Sequence, residues 1–346
     1  VKIFVTRGIP DAGLEILRRA GEVELGGTRD DEPVARARVL AGVRRADVLV
    51  SLLTETVDRE ILEAGERLRG VANYAVGFNN VDVASASSLG LPVTNTPGVL
   101  TDTSADLTWA LILAAARNVV PADRYMRAGK YRIWGPSLFI GGDVGPGGSG
   151  RRKVLGIVGF GRIGQAVFRR ALGFEMRVLA YDPPMKDVIS KTEGVELADM
   201  DRLLRESDFV TIHTDLNPST RHLIGKAAFE KMKPTAYLIN TARGPIVDEK
   251  ALVTALREGR IAGAGLDVYE DEPEMAEGLA ELDNVVVLPH IASASRDTRD
   301  KMATMCAENA LAHLELRRAP NCINPEVYDG APYRKRFGNA SPRTDD

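Results

Sequence analysis

Lys153–Asp182 reads K-V-L-G-I-V-G-F-G-R-I-G-Q-A-V-F-R-R-A-L-G-F-E-M-R-V-L-A-Y-D. The apolar run K-V-L-G-I-V is followed at once by Gly159-Phe160-Gly161-Arg162-Ile163-Gly164. Gln165–Leu172 is apolar at helical spacing and stops at Gly173. Arg177–Tyr181 is a second apolar run, ended by Asp182. The order is strand, glycine turn, helix, strand, acid. The glycines serve a tight turn, close approach of a pyrophosphate to the backbone, and close packing of helix on strand. A helix opening at the turn directs free N–H groups and the positive end of its dipole at phosphates. Asp182 lies 18 residues past Gly164, near the roughly 20 expected of an acid that binds the adenosine ribose hydroxyls. A bare glycine pattern is common. Flanked by both strands, the helix and the acid, it predicts dinucleotide binding.

At 346 residues the chain exceeds one ordinary core, so two domains are expected. A composition of 44% hydrophobic and 27% charged residues describes a soluble globular protein. The net charge of −3 argues against a nucleic-acid or anionic-membrane surface. No apolar run reaches transmembrane length, and Lys2–Thr6 reads as a strand rather than a signal peptide. With two cysteines, Cys306 and Cys322, no disulfide framework is expected; a reducing, cytoplasmic setting is the default.

Working outward, Lys2–Thr6, Val48–Leu52, Gly70–Tyr74 and 93–95 read as strands. Ala12–Ala20, 61–68 and 81–89 read as helices, with Leu14, Ile16 and Leu17 of the first facing inward. This alternation implies a parallel α/β sheet with right-handed crossovers. Thr101–Arg117 is a long helix, apolar around most of its surface, which either core packing or a subunit interface explains. Gly141–Gly150 reads as a flexible solvent loop. Strand–helix units then continue through 197–204, Phe209–Ile212, 236–240, 250–258, 263–268 and 285–288. A helix over 296–317 is placed to return the chain to the first unit. Residues 328–346 read as a polar tail, disordered or draped on a surface.

Three polar residues fall just past three apolar strands: Arg243 in N-T-A-R-G-P, Glu272 in D-V-Y-E-D-E-P and His290 in L-P-H-I-A-S. Open α/β sheets bind ligands outside the carboxyl ends of their strands, the edge that also holds the glycine turn. The set makes chemical sense for hydride delivery to a carbonyl. Histidine donates a proton to the developing oxyanion. A carboxylate on its other nitrogen fixes the tautomer, and arginine grips a substrate carboxylate with its planar fork. Singly, each has an ordinary reading: a loop arginine, a solvated acid before proline, a satisfied histidine. His213, at the end of Phe209–Ile212, is the rival proton donor and is assigned to the cofactor edge; His222 and His313 read as structural. No cluster has zinc spacing and no Gly-x-Ser-x-Gly elbow occurs.

At this point the chain resembles the D-2-hydroxyacid dehydrogenase family, nearest its glyoxylate/hydroxypyruvate reductase branch. The matching stretches are N-Y-A-V-G-F-N-N-V-D (73–82), V-T-N-T-P-G-V-L-T-D (93–102), L-G-I-V-G-F-G-R-I-G (155–164), N-T-A-R-G-P-I-V-D-E (240–249), G-L-D-V-Y-E-D-E-P (265–273) and L-P-H-I-A-S-A-S (288–295).

The resemblance implies an α/β protein of two doubly wound parallel-sheet domains, a Rossmann dinucleotide-binding domain inserted in a flavodoxin-like substrate domain. The substrate domain would comprise 1–98 and 295–327, the NAD-binding domain with its dimerisation helix 99–294, and the tail 328–346. It implies that Arg243, Glu272 and His290 are the family's catalytic triad, and that Arg162, Ile163, Asp182, Thr214, Thr241, Ala242 and Asp267 join the glycines at the cofactor. Backbone N–H groups near Leu53 and Ala75-Val76-Gly77 would hold the substrate carboxylate. The implied protein is a homodimer in which Trp134 reaches the partner's active site.

The expected activity is NADH-dependent reduction of glyoxylate or hydroxypyruvate, with NADH preferred over NADPH. Phosphoglycerate dehydrogenase is the runner-up and phosphite oxidation uses the same triad; an NAD(H)-sensing corepressor is the rival outside enzymes. The chain departs from the family pattern in the lengthened turn 145–152, in Asp215 where proline is usual, and beyond Val327.

Overall fold

The computed structural model describes residues 1–28 and 32–338. The chain divides into two compact units, 1–100 with 294–346, and 101–293.

The first unit is built on five parallel strands: β1 (Lys2–Arg7), β2 (Glu22–Gly27), β3 (Val48–Leu52), β4 (Val71–Tyr74) and β5 (Val93–Thr94). Their order is β2-β1-β3-β4-β5, the flavodoxin-like arrangement. Because side chains alternate across a strand, each strand feeds two cores. Ile3, Val5, Val48 and Val50 pack with Leu14 and Leu17 of helix Asp11–Ala20 and with Met302, Cys306 and Ala310 of helix Arg296–Leu314. Phe4, Leu49 and Val71 face the other way, onto Val39, Val43 and Ile61. This two-sided burial is why these strands read as continuous apolar runs. Gly13 lets the two helices approach: a Cβ there would lie 2.5 Å from the Ala303 carbonyl oxygen.

Two readings change here. The helix expected over 61–68 is Arg59–Ala64, capped by the Asp58 side chain on the Ile61 N–H and ended by Gly65. The supposed tail is partly folded. Pro325–Asp329 forms a 3-10 turn, Ala331–Phe337 is a helix, and Tyr333 is 2% exposed. Arg336 donates to the carbonyls of Gly65, Glu66 and Leu68, pinning this last helix to the loop that follows the 59–64 helix. Residues 339–346 lie outside the described residues.

The second unit holds seven parallel strands: β6 (Val154–Val158), β7 (Arg177–Tyr181), β8 (Val195–Leu197), β9 (Phe209–Ile212), β10 (Tyr237–Asn240), β11 (Gly263–Leu266) and β12 (Val285–Val287). Their order is β12-β11-β10-β9-β6-β7-β8. The chain reverses direction across the sheet between β6 and β9, and a doubly wound sheet opens its ligand crevice at that point. Helix Thr101–Ala116 is claimed largely by the core. Its Ala105, Trp109 and Ile112 are buried with β6 and with helix Arg162–Ala171; the Trp109 ring stacks on Phe174 at 4.4 Å and its N–H donates to the Val167 carbonyl. The next helix, Val119–Arg127, has no fully buried residue, with Val120 packing partly on the core, and Ile133, Trp134 and Ile140 after it are 81%, 72% and 70% exposed. Among the described residues, no helix is long and apolar enough to cross a membrane.

Candidate active site

The glycine turn has the division of labour its sequence implies. Gly159 has φ +93°, and a Cβ on it would lie 2.5 Å from the Thr214 nitrogen. Gly161 faces open space, and a Cβ on Gly164 would sit 2.2 Å from the Gly159 carbonyl oxygen. The first glycine turns the chain and the third packs helix on strand. The second leaves the approach clear to the N-terminus of Arg162–Ala171, where free N–H groups await an anion. Asp182, ending β7, accepts from the Phe160 N–H at 2.7 Å through Oδ2. It does not cap the turn that follows it. One carboxylate oxygen thus ties β7 to the glycine turn. Ile163, Thr214 and Ala242 are half-buried around this edge, and the Thr241 hydroxyl bonds that of Thr108 at 2.9 Å.

Arg243 follows β10 on a loop folded by Asn240, whose side chain accepts from Ala242 N–H and donates to the Arg243 carbonyl, both at 3.0 Å. Burial lowers the Arg243 pKa from its ordinary value, and the charges of Glu272 and Asp215 oppose that shift. A Cβ on Gly244 would lie 1.8 Å from the carbonyl carbon and oxygen of Tyr269. Only glycine lets this loop rest on the one that carries Glu272.

Glu272 Oε2 meets His290 Nδ1 at 2.9 Å, and Oε1 accepts from the Tyr269 N–H at 3.1 Å. Burial works to raise the Glu272 pKa. The bond to His290, the charges of His290 and Arg243 and the Tyr269 N–H outweigh it, so the carboxyl sits below its usual range. Glu272 engages His290 through Nδ1 and not through Nε2, and the His290 and Glu272 side chains are 26% and 31% exposed.

His290 itself sits at φ +54°, uncommon for a residue with a Cβ. Asp267 holds it there. Its carbonyl accepts from the His290 N–H at 2.9 Å, and its two carboxylate oxygens accept from the N–H groups of Ile291 and Ala292, each at 2.7 Å. Asp267 is 0% exposed, and burial raises its pKa against those two bonds. This carboxylate, expected at the cofactor, also shapes the turn behind the histidine.

His213 does not fit the proton donor's role. Its Nε2 is buried without a partner among the described residues, and burial pulls its pKa down to about 3. Burial thus favours its neutral form. His222 pairs with Glu270 at 2.5 Å, and His313 is buried beside Thr94 with its pKa lowered to about 4 by burial. Sequence reasoning missed Glu249, which is 4% exposed and accepts from the N–H groups of Glu270 and Ala276 at 2.7 and 2.8 Å, bracketing the loop of Glu272. It also missed Tyr269, whose hydroxyl donates to the Leu288 carbonyl at 2.8 Å. The helical N-cap motif V-D-E was the one visible signal for Glu249.

In the first unit, Ala75 must be removed from the expected carboxylate donors. Its N–H already donates to the Asn73 carbonyl at 2.9 Å. The N–H groups of Leu53, Val76 and Gly77 have no acceptor among the described residues.

Known proteins are similar to this chain in sequence and fold. The profile described as D-isomer specific 2-hydroxyacid dehydrogenase, NAD binding domain, matches residues 109–292. The chain belongs to the D-isomer specific 2-hydroxyacid dehydrogenases. Within this dehydrogenase family it is 49% identical over 328 residues to a glyoxylate reductase of Korarchaeum cryptofilum, covering 94% of this chain and 96% of the relative. A crystal structure of a Thermus thermophilus protein superposes with a TM-score of 0.85 at 41% identity, over 93% of this chain and 100% of that one. An NADPH-dependent glyoxylate/hydroxypyruvate reductase of Sinorhizobium meliloti, solved with NADP and malonate, gives 0.77 at 30% identity, over 94% and 97%. The second unit of this dehydrogenase is thus its NAD-binding domain.

Proposed function

We propose that this D-2-hydroxyacid dehydrogenase reduces glyoxylate or hydroxypyruvate, using NADH in preference to NADPH. The observation that carries the reading is the Glu272–His290 pair at 2.9 Å, at the carboxyl edge of the sheet that bears the glycine turn. The relatives named glyoxylate reductase support the choice of substrate. The cofactor fits the residues present: an open Gly161, a free helix N-terminus and an uncommitted Asp182 oxygen. NADH, when bound, supplies the hydride. His290 Nε2 gives its proton to the carbonyl oxygen as negative charge develops there. Glu272, ionised, keeps the other nitrogen protonated and the ring aimed. Arg243 binds the substrate carboxylate and polarises the adjacent carbonyl. Purified protein should turn over glyoxylate or hydroxypyruvate faster than other 2-oxo acids in a panel with NADH; no turnover of any 2-oxo acid would refute the reading.

Glu272→Gln keeps the shape and removes the charge that favours imidazolium. The edge of the reduction profile on the high-pH side should move down by about one pH unit or more, the effect of one close opposite charge. An edge that stays in place would separate Glu272 from the proton transfer.

For the cofactor, Asp182→Asn retains an acceptor for the Phe160 N–H while discharging the side chain. The carboxylate repels the 2′-phosphate of NADPH. The ratio of kcat/KM for NADH over NADPH should therefore fall about tenfold or more, one like-charge contact being worth roughly 1.4 kcal/mol. An unmodified enzyme equally fast with both cofactors would refute the role of Asp182.

The exposed apolar run Ile133, Trp134 and Ile140 supports a homodimer that covers it.

A further inference from the structure

The loops that follow β3 and β4 in the first unit are held by three asparagine side chains. Asn80 Nδ2 donates to the carbonyls of Leu52 at 2.9 Å and Glu55 at 3.2 Å. Asn73 Nδ2 donates to the Gly77 carbonyl at 3.0 Å. Asn95 Nδ2 donates to the Val76 carbonyl at 2.7 Å. Asn73 and Asn80 also pair reciprocally, amide to amide, at 3.2 Å in both directions, and the Ser51 hydroxyl donates to Asn73 Oδ1 at 3.0 Å. Asn73 is 1% exposed, so this is a buried polar network whose members satisfy one another, the condition under which such a network is rigid.

Peptide planarity turns this into a statement about N–H groups. In a trans peptide the carbonyl of one residue and the N–H of the next point in opposite directions, and none of these peptides is cis. Drawing the Leu52 carbonyl inward turns the Leu53 N–H outward. The Val76 and Gly77 carbonyls do the same for the N–H groups of Gly77 and Phe78. The Thr96 N–H, taking the Ala75 carbonyl at 2.9 Å, turns out Val76. None of these four N–H groups has an acceptor among the described residues. Successive outward N–H groups make a concave anion site. The Leu53 and Phe78 side chains, 37% and 43% exposed, give it an apolar rim.

We propose that Asn73, Asn80 and Asn95 are positioning residues for the substrate carboxylate, and that the Phe78 N–H joins Leu53, Val76 and Gly77 in binding it. The proposal rests on the 2-oxo acid reading above. None of the asparagines need touch the substrate. Each fixes a carbonyl whose release would let a peptide rotate and withdraw one donor from the anion.

The test is kinetic, on the full chain, with oxamate as an unreactive carboxylate probe at saturating NADH. Asn95→Ala, at a half-buried position with a single donated bond, should raise KM for glyoxylate and Ki for oxamate together, about tenfold. That is the loss expected when a hydrogen bond to a charged group is misaligned. The kcat should stay within about twofold, and KM for NADH should not move. Asn95→Asp, unable to donate and bringing a negative charge, should raise both constants further. Asn80→Ala serves as a second probe if its melting curve stays cooperative. A folded Asn95→Ala enzyme with unchanged KM and Ki would overturn the proposal, as would a parallel fall in kcat and NADH affinity. Failure of the activity reading looks different: the wild type would reduce no 2-oxo acid, and oxamate binding to wild type and Asn95→Ala would still decide the role of the asparagines.

Discussion

Replacing His290 by alanine should lower kcat for 2-oxo acid reduction about 10²–10⁴-fold, the usual contribution of a general acid, with the dissociation constant of NADH nearly unchanged. The split follows from the geometry. The residues suited to the cofactor are the glycine turn, the helix N-terminus and Asp182, which His290 does not touch, whereas Nε2, the nitrogen not engaged by Glu272, is the proposed proton donor. His213 offers no substitute, because burial keeps it neutral. Steady-state rates with glyoxylate, beside a fluorescence titration of NADH, decide the matter. Turnover near the wild-type value would move the proton donor elsewhere.

Gly244→Ala should be the most damaging single methyl group in the second unit. Its Cβ would arrive 1.8 Å from the backbone of Tyr269, and backbone cannot step aside as a side-chain tip can. Forcing the loops apart should cost about 3 kcal/mol, the upper range for overpacking, or roughly 6–12 °C in Tm for a unit of this size. The same displacement moves Arg243 away from Glu272, and a shift of about 1 Å at such a site lowers kcat/KM about 10²-fold. Calorimetry and kinetics on one preparation test both. A wild-type Tm would show that the two loops do not meet as described.

How much of this was readable from the chain depended on how each residue is used. The strands β3 and β9 coincide with the apolar runs Val48–Leu52 and Phe209–Ile212, because a strand covered on both faces has no polar positions to blur it. The edge strand β2, E-V-E-L-G-G, is half-covered and carries glutamates, so it left no such run. Helix Val119–Arg127 has no fully buried residue, Val120 packing only partly on the core, so it offers no continuous apolar stripe of the kind that marks the buried helices. Arg243, Glu272 and His290 stood out because each closes an apolar strand. The clamp of Asp267, the internal bond of Ala75 and the asparagine network did not. They are bonds to the backbone, several of them between segments distant in sequence, and no spacing rule encodes them.

The helix Arg296–Leu314 supplies one face of the first unit's core, yet it lies beyond the whole of residues 101–293. During synthesis, β1 to β5 emerge with Ile3, Val5, Val48 and Val50 covered on that side by helix Asp11–Ala20 alone. At ~5–20 residues per second, they wait roughly 10–40 s for their covering helix. The continuous second unit has every strand it needs before then. The first unit, begun earliest, is therefore the last to receive all of its core residues.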